Sequence, residues 1–254
     1  MRLVLREAVT LRNLKSPWRL RLMRWLYPQA DAVVVLTEVM RQEMISVIGV
    51  SSSRLVCIPN PVDMDFIRSQ AAIELDHHWF APGSPPVIIG IGRLSLQKDF
   101  ATLIRAFAEL RSRRVEARLV ILGEGPLRNE LEDLVRKLQI ENDVLMPGFD
   151  VNPYRWLARS QVFVLSSLWE GYPNVVLDAL ALEKPVVVTN YDLSVADLSK
   201  TGGSRVIVVP PASSIALSAA INWHFENISD GQAITMSSCV EMESYEYFLL
   251  NRGN

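Results

Sequence analysis

Two carboxylate side chains, Glu170 and Asp178, lie eight residues apart on either side of the turn Gly171–Asn174. If a helix begins near Pro173, the free backbone amides of its first turn favour a phosphate group. Asp178 then lies one turn into the helix, where a carboxylate accepts two hydrogen bonds from a vicinal diol such as that of ribose. The segment predicts a sugar-phosphate site, and the alternative is an ordinary helix start that Glu170 stabilises. The residues of this segment predicted to bind substrate are Gly171, Tyr172, Asn174, Val175 and Asp178.

Two cationic side chains, Arg93 and Lys98, follow Gly92 at the end of the apolar run at residues 86–91. An arginine binds phosphate oxygens through its planar fork, and a lysine binds them as a point charge. Both side chains in one loop after a strand therefore suit a diphosphate. The alternative is a solvated Arg93 and Lys98 beside a helix start.

Glycines also follow the next apolar run, in the sequence Gly123-Glu124-Gly125. Glycine permits a tight strand-to-helix turn and a close approach of the backbone to a ligand. A single Gly-x-Gly pattern is equally typical of a structural turn, so both interpretations stay open.

Short apolar runs alternate with amphipathic segments along most of the chain, which predicts parallel βαβ construction in the α/β class. We predict the end of one α/β domain at residues 1–62, a linker at 63–85, a second α/β domain at 86–226 and a tail at 227–254. The first domain has no initial strand or glycine-rich loop, so we expect a chain shortened at its N-terminus. Ligands of such sheets bind beyond the carboxyl ends of the strands, where the candidate loops should meet.

The composition excludes several classes of function. The 254 residues carry a formal net charge of −2, so no overall field attracts nucleic acid. No apolar run approaches the roughly 20 residues that span a bilayer. Cys57 and Cys239 are far apart and indicate ordinary thiols of a reducing cytoplasm. The adjacent His77 and His78 indicate solvated surface, and no set of residues has the spacing of a metal site.

The start of the chain is strongly basic, although the whole chain is nearly neutral. Within residues 1–27 the only acidic residue is Glu7, against seven cations: Arg2, Arg6, Arg12, Lys15, Arg19, Arg21 and Arg24. The sequence at 16–30 predicts an amphipathic helix. Its apolar residues either cover the following strand or lie on an anionic membrane surface with the cations toward the head groups.

The chain resembles the family 4 glycosyltransferases of GT-B fold, a retaining group that includes lipopolysaccharide and capsule enzymes. The motifs that carry the resemblance are these: YPQADAVVVLTEVMRQEM, RLVCIPNPVD, GRLSLQKDFATLIRAFAEL, LVILGEGPLRNELEDLVRKL, MPGF and SSLWEGYPNVVLDALALEKPVVVTN. The resemblance implies two Rossmann-like domains with helices on both faces of each parallel sheet. The end of the first and a complete second, nucleotide-sugar-binding domain would be present.

The resemblance also implies roles for individual residues. Glu170 would approach the donor sugar, and Asp178, where the family has Glu, would hold the ribose through a shorter arm. Arg93 and Lys98 would bind the diphosphate. The turn at Gly148 and Phe149 would meet the base; Gly92 joins the predicted substrate-binding residues.

The function implied is transfer of a sugar, as in a hexosyltransferase, from a nucleoside diphosphate sugar to a saccharide or lipid-linked acceptor. We expect a UDP-sugar, retention of configuration and a role in cell-surface polysaccharide biosynthesis. Glu170, Arg93 and Lys98 form the predicted catalytic set. No metal or other cofactor is expected, because the two cations offset the charge of the leaving diphosphate. The expected location is cytoplasmic, with peripheral contact at the plasma membrane left open.

Two alternatives remain at this point. A fragment that only binds the sugar nucleotide is one, since half of the cleft is expected to be missing. A GT-B-fold sugar-nucleotide epimerase is the other, and the pattern EGYPNVVLDAL disfavours it.

Overall fold

The computed structural model describes residues 3–8, 10, 11, 14, 16–192, 194, 195, 198 and 202–228. Residues 229–254 of the predicted tail, which include Cys239, lie outside this part of the chain. Within it, no helix is both long and apolar enough to cross a membrane.

The first sheet has three parallel strands in the order β1-β2-β3. Its strands are β1 (Val4–Glu7), β2 (Ala32–Val35) and β3 (Leu55–Cys57). The helices of this part are α1 (Pro17–Leu26) and α2 (Glu38–Glu43), and a π-helical turn (Met44–Ile48) extends α2. Gly49 ends that turn with φ +87°, a conformation that favours glycine, as the sequence predicts.

The second sheet has six parallel strands in the order β6-β5-β4-β7-β8-β9. Its strands are β4 (Val87–Ile91), β5 (Arg118–Leu122), β6 (Val144–Gly148), β7 (Val162–Leu165), β8 (Val186–Thr189) and β9 (Val206–Val209). Its helices are α4 (Phe100–Ser112), α5 (Arg128–Lys137), α6 (Tyr154–Arg159), α7 (Asn174–Ala181) and α8 (Ser214–Ile228). Buried residues of α4, α5 and α8 form one apolar core on one face, and those of α6 and α7 form another on the opposite face. The predicted α/β class with helices on both faces is confirmed.

The order of the strands places a switch point at β4. This strand pairs with β5 on one side and with β7 on the other, so successive connections leave it in opposite directions. The loops after β4 and β7 therefore both lie at the carboxyl edge beside the switch point, the region where ligands of such sheets bind. These two loops carry Arg93, Lys98 and Glu170.

The segment predicted as a linker contains a helix, α3 (Met64–Ala71). Asp63 begins it by accepting a hydrogen bond from the backbone N–H of Phe66, at 2.9 Å. The last carbonyl groups of α3 accept hydrogen bonds from side chains of the second sheet's part, Asn152 to Gln70 among them, at 3.0 Å. The segment predicted as a linker therefore contains a helix at residues 64–71, and the predicted domain boundaries remain a prediction.

One other expectation is corrected in part, and the expectation of an ordinary thiol is confirmed for Cys57. The ring of His77 is half-buried and lies 5.8 Å from that of Trp156, so only His78 of the histidine pair is at the surface as predicted. Cys57 is an exposed free thiol.

Helix α1 has two apolar faces rather than one. Leu20, Met23 and Tyr27 pack against the core of the first sheet. Trp18, at 66% exposure, and Trp25, at 65%, face away from that core together with two exposed leucines, Leu22 and Leu26. These four residues therefore do not cover the following strand, which was one of the two alternatives for the apolar residues of this helix, whereas Leu14, before the helix, packs inward.

Candidate functional site

The loops after β4 and β7 are joined by hydrogen bonds near their middle. The hydroxyl of Ser166 donates to the backbone oxygen of Lys98 at 2.7 Å. The N–H of Leu168 donates to the backbone oxygen of Gln97 at 2.8 Å. The side-chain amide of Gln97 donates to the backbone oxygen of Trp169 at 2.9 Å. These contacts fix the path of the chain that leads to Glu170.

Glu170 is buried, with 6% of its surface exposed, and both oxygens of its carboxylate accept hydrogen bonds. Oε1 accepts hydrogen bonds from Lys98 Nζ, at 2.6 Å, and from the hydroxyl of Ser167. Oε2 accepts one from Gln97 Nε2 at 3.2 Å. A buried carboxylate stays charged at low cost only when it is paired and hydrogen-bonded in this way. The sequence predicted separate contacts of Glu170 and Lys98 with the ligand but not this pair, and it missed Gln97 and Ser167.

Gly92 makes room for Lys98. A Cβ atom at Gly92 would lie 2.8 Å from Cε of Lys98, so a larger residue would displace the side chain that pairs with Glu170. Arg93 follows and points its exposed side chain to solvent. Among the described residues, none forms a hydrogen bond or ion pair with its guanidinium group. Arg93 is therefore available to bind an anion.

A cavity of about 370 Å³ opens beside Arg93 at the carboxyl ends of β4, β5 and β6. It is lined by Ile91, Gly92, Arg93, Leu122, Gly123, Glu124, Phe149, Asp150 and Pro153. Phe149 is 74% exposed at its rim and offers a flat apolar surface. Glu124, Asp150 and Pro153 had no sequence signal strong enough to select them.

Glycines shape the floor of this cavity. The N–H of Gly123 donates to the backbone oxygen of Gly148 at 2.8 Å. A Cβ atom at Gly123 would overlap the carbonyl group of Gly92, so this position requires glycine. Gly148 has φ +94°, which also favours glycine. The structural role proposed for the Gly-x-Gly turn is confirmed for Gly123, which also lines the cavity.

Helix α7 begins at Asn174, with Pro173 directly before it as the capping residue. The N–H of Asn174 is used by a turn, since it donates to the backbone oxygen of Tyr172 at 3.0 Å. The N–H of Val175 has no backbone acceptor in the described part of the chain. The expectation of two free amides is therefore wrong for Asn174 and holds for Val175. Gly171 and Tyr172 are both half-buried.

Asp178 lies half-buried on α7, and burial raises its pKa from the ordinary 3.8 to about 6. Burial raises the pKa of Tyr154, and the charge of Asp178 adds to this rise. None of the described residues donates a hydrogen bond to the side-chain carboxylate of Asp178. The oxygens of this carboxylate can therefore accept hydrogen bonds from hydroxyl groups of a ligand. Pro153, which directly precedes Tyr154, lines the cavity.

The structure thus brings the predicted residues together in two groups. Glu170 and Lys98 form a buried pair, and Gly92, Arg93 and Phe149 line the cavity. Asp178, Asn174 and Val175 lie along α7, and no hydrogen bond or ion pair among the described residues joins them directly to either group. The arrangement suits an anionic ligand rich in hydroxyl groups, because it combines a free guanidinium, a free N–H and an unbonded carboxylate.

Two family models match this chain. The model described as "Glycosyl transferases group 1" matches residues 73–234, which is more than half of the chain. The model described as "Glycosyltransferase Family 4" matches residues 8–66.

Relatives with curated descriptions support the same assignment. A glycosyltransferase of Methanocaldococcus jannaschii, described as uncharacterised, is 36% identical over 169 residues, which cover 66% of this chain and 41% of that protein. The N-acetylgalactosamine-N,N'-diacetylbacillosaminyl-diphospho-undecaprenol 4-alpha-N-acetylgalactosaminyltransferase of Campylobacter jejuni is 32% identical over 203 residues, which cover 78% and 53%. The chain spans about half the length of these relatives.

A solved structure shows the same fold. Anabaena Alr3699/HepE, crystallised in complex with UDP and glucose, matches with a TM-score of 0.78 and 20% identity. The match covers 90% of this chain and 63% of that one. The predicted GT-B fold is confirmed, and the chain belongs to the group 1 and family 4 glycosyltransferases.

Proposed function

We propose that this chain binds a nucleoside diphosphate sugar, and that the whole protein transfers a hexosyl group from it with retention. The observation that carries the proposal is the unpaired guanidinium of Arg93 on a cavity beside the buried Lys98–Glu170 pair. A UDP-sugar is the favoured donor, because the similar Anabaena protein was crystallised with UDP. A saccharide or lipid-linked acceptor is favoured, because the name of the Campylobacter relative specifies a diphospho-undecaprenol acceptor.

The proposed mechanism stabilises the leaving diphosphate. Arg93 would bind phosphate oxygens through its fork, and Lys98 would add a second positive charge. Lys98 can serve both partners, since an ammonium group has three donors and Glu170 occupies one. Glu170 would accept a hydrogen bond from a hydroxyl group of the sugar, and Asp178 would accept hydrogen bonds from the ribose hydroxyl groups. Phe149 and Gly148 would meet the base.

The glycosyltransferase relatives do not favour either alternative, a sugar-nucleotide epimerase or a protein that only binds the nucleotide. Relatives named for lipopolysaccharide core and colanic acid biosynthesis support a role in making cell-surface polysaccharide.

Calorimetric titration with UDP, GDP and ADP tests the proposal. We expect the tightest binding with UDP and a loss of about tenfold to a hundredfold in Arg93→Met, as for a hydrogen bond between charged groups. Arg113→Met is the matched control, because Arg113 is equally exposed but follows the C-terminal end of α4. Absence of binding to all three nucleotides, or equal losses in the two variants, would contradict the proposal.

We also propose that α1 contacts an anionic membrane at the inner face of the plasma membrane. Trp18, Leu22 and Trp25 recur at helical spacing on the face turned away from the core. Arg19 and Arg21 flank this face, and the helix contains no acidic residue. Exposed tryptophans between arginines suit the interface between lipid head groups and acyl chains.

A further inference from the structure

A chain of side-chain hydrogen bonds runs from the first sheet to the first residue of α7. Arg6 Nη2, at the carboxyl end of β1, donates to Oδ1 of Asn60 at 2.5 Å. Nδ2 of Asn60 donates to Oδ1 of Asn174 at 2.7 Å. Three residues from separate parts of the sequence are thereby connected in a fixed order.

The chemistry of the three side chains fixes which group donates and which accepts in this series of hydrogen bonds. A guanidinium group has donors and no acceptor, so Asn60 must turn its oxygen to Arg6. Its amide nitrogen then faces Asn174, which must accept with its own oxygen. The NH₂ group of Asn174 is left over, and no described residue accepts a hydrogen bond from it.

The leftover NH₂ group lies at the start of α7, next to the unbonded N–H of Val175. The terminal torsion of an asparagine side chain is broad and nearly two-fold, so an isolated Asn174 would present its oxygen and its nitrogen about equally. With its oxygen held by Asn60, the exposed side chain of Asn174 presents only donors at the start of α7.

We propose that Arg6 and Asn60 are positioning residues that fix the side chain of Asn174 as a hydrogen-bond donor to a phosphate oxygen of the bound nucleotide. The inference rests on the proposed function and assigns a ligand contact to a side chain, where the sequence pointed to backbone amides. It also gives the first sheet a part in binding the sugar nucleotide, because Arg6 and Asn60 both lie in the part of the chain that contains this sheet.

Asn60→Asp tests the donor and acceptor order of these hydrogen bonds with little change in the shape of the side chain. The carboxylate of Asp accepts from Arg6 and also from Asn174, so Asn174 must donate its NH₂ group and turn its oxygen toward the phosphate. We expect the dissociation constant of UDP to rise about tenfold, the loss of one hydrogen bond to a charged group. Uridine, which has no phosphate, should bind Asn60→Asp and the unmodified chain equally.

Asn174→Ala separates this effect from that of the added charge. In the Asn174→Ala background, Asn60→Asp should change UDP affinity less than about threefold, because only screened charge repulsion remains. Arg6→Met should weaken UDP binding in the unmodified background and not in the Asn174→Ala background. Arg41→Met serves as control, since Arg41 also lies in the part of the chain that contains the first sheet but pairs with Glu38 and not with Asn60.

The outcomes distinguish the two proposals. UDP binding that Asn60→Asp weakens equally in both backgrounds would overturn the positioning role and leave the proposed function intact. If the variants lower only the melting temperature of the free chain, the hydrogen bonds are structural, and the positioning role is again overturned. Failure of the unmodified chain to bind UDP, GDP or ADP would overturn the proposed function and this inference with it.

Discussion

The ammonium nitrogen of Lys98 lies 2.6 Å from Oε1 of Glu170, and the two side chains are only 16% and 7% exposed. The pair links the loop after β4 to the loop after β7, where the order of the sheet reverses. It therefore holds these two loops together at the switch point of the sheet.

Lys98→Met should destabilise the chain strongly. It leaves the carboxylate of Glu170 buried without its counter-ion, a change that costs about 3 kcal/mol or more in free energy of unfolding. Urea unfolding followed by circular dichroism measures the loss.

The double variant Lys98→Met/Glu170→Gln is the control for that interpretation. Because the introduced glutamine carries no charge and still accepts a hydrogen bond, most of the lost stability should return. Arg41→Met, which breaks a more exposed pair with Glu38, should cost much less than Lys98→Met. Similar losses in all three variants would contradict a buried ion pair.

Asp178→Asn should raise stability in a pH-dependent way. Burial raises the pKa of Asp178 to about 6, so between pH 4 and 6 the folded chain holds a proton that the unfolded chain releases. The free energy of unfolding therefore falls as the pH rises through this window, and asparagine has no such cost. We expect Asp178→Asn to gain about 1–2 kcal/mol at pH 8, allowing for solvent screening, and almost nothing at pH 4. Urea unfolding at the two pH values checks this, and an equal gain at both would refute it.

Kinetics of the whole protein should separate Glu170 from Asp178. Glu170→Gln should lower turnover by about a hundredfold, because a small misplacement at the reacting sugar costs rate. Asp178→Asn should mainly raise the Michaelis constant, by about tenfold, because a ribose contact mainly sets binding. Initial rates over a range of donor concentrations give both constants, and the reverse pattern would overturn the assignment.

Helix α1 should bind anionic vesicles weakly and in a salt-sensitive way, and neutral vesicles not at all. Each arginine near an anionic surface contributes about 1 kcal/mol, so Arg19→Gln/Arg21→Gln should reduce binding by more than tenfold. Trp18→Ser/Trp25→Ser should reduce it as well, by removing the interfacial anchors. Co-sedimentation at low and high salt measures the effect.

The matched control for the vesicle experiment is Arg113→Gln/Arg114→Gln, which removes two exposed arginines beyond the end of α4. It should bind vesicles like the unmodified chain. Binding that salt does not change, or that neutral vesicles show equally, would exclude the electrostatic mechanism.

Much of the fold is predictable from the sequence because its strands are continuous apolar runs. Val162–Leu165 and Val186–Thr189 are buried at every position, as expected for a parallel sheet with both faces covered. Helix α3 is less visible in the sequence. Its apolar residues Met64 and Phe66 are exposed and only Ile67 is buried, so its periodic signal is weak.

The candidate site is predictable in its residues but not in its pairing. Arg93, Lys98 and Glu170 carry chemistry that their types and neighbours reveal. The contact between Lys98 and Glu170 depends on β4 and β7 being neighbours, although two strands separate them along the chain. No local pattern encodes that order. The pKa of Asp178 depends in the same way on the packing of α7 in the folded chain.

Tyr172 follows Glu170 in the loop after β7, yet its ring packs against the apolar core of the first sheet. The acidic loop of the larger sheet is thus anchored in the smaller one. We therefore expect amide hydrogens near Tyr172 to exchange with solvent faster when the three-stranded unit opens, while the part of the loop before Glu170 stays held by the loop after β4. The order of this loop then depends on both sheets.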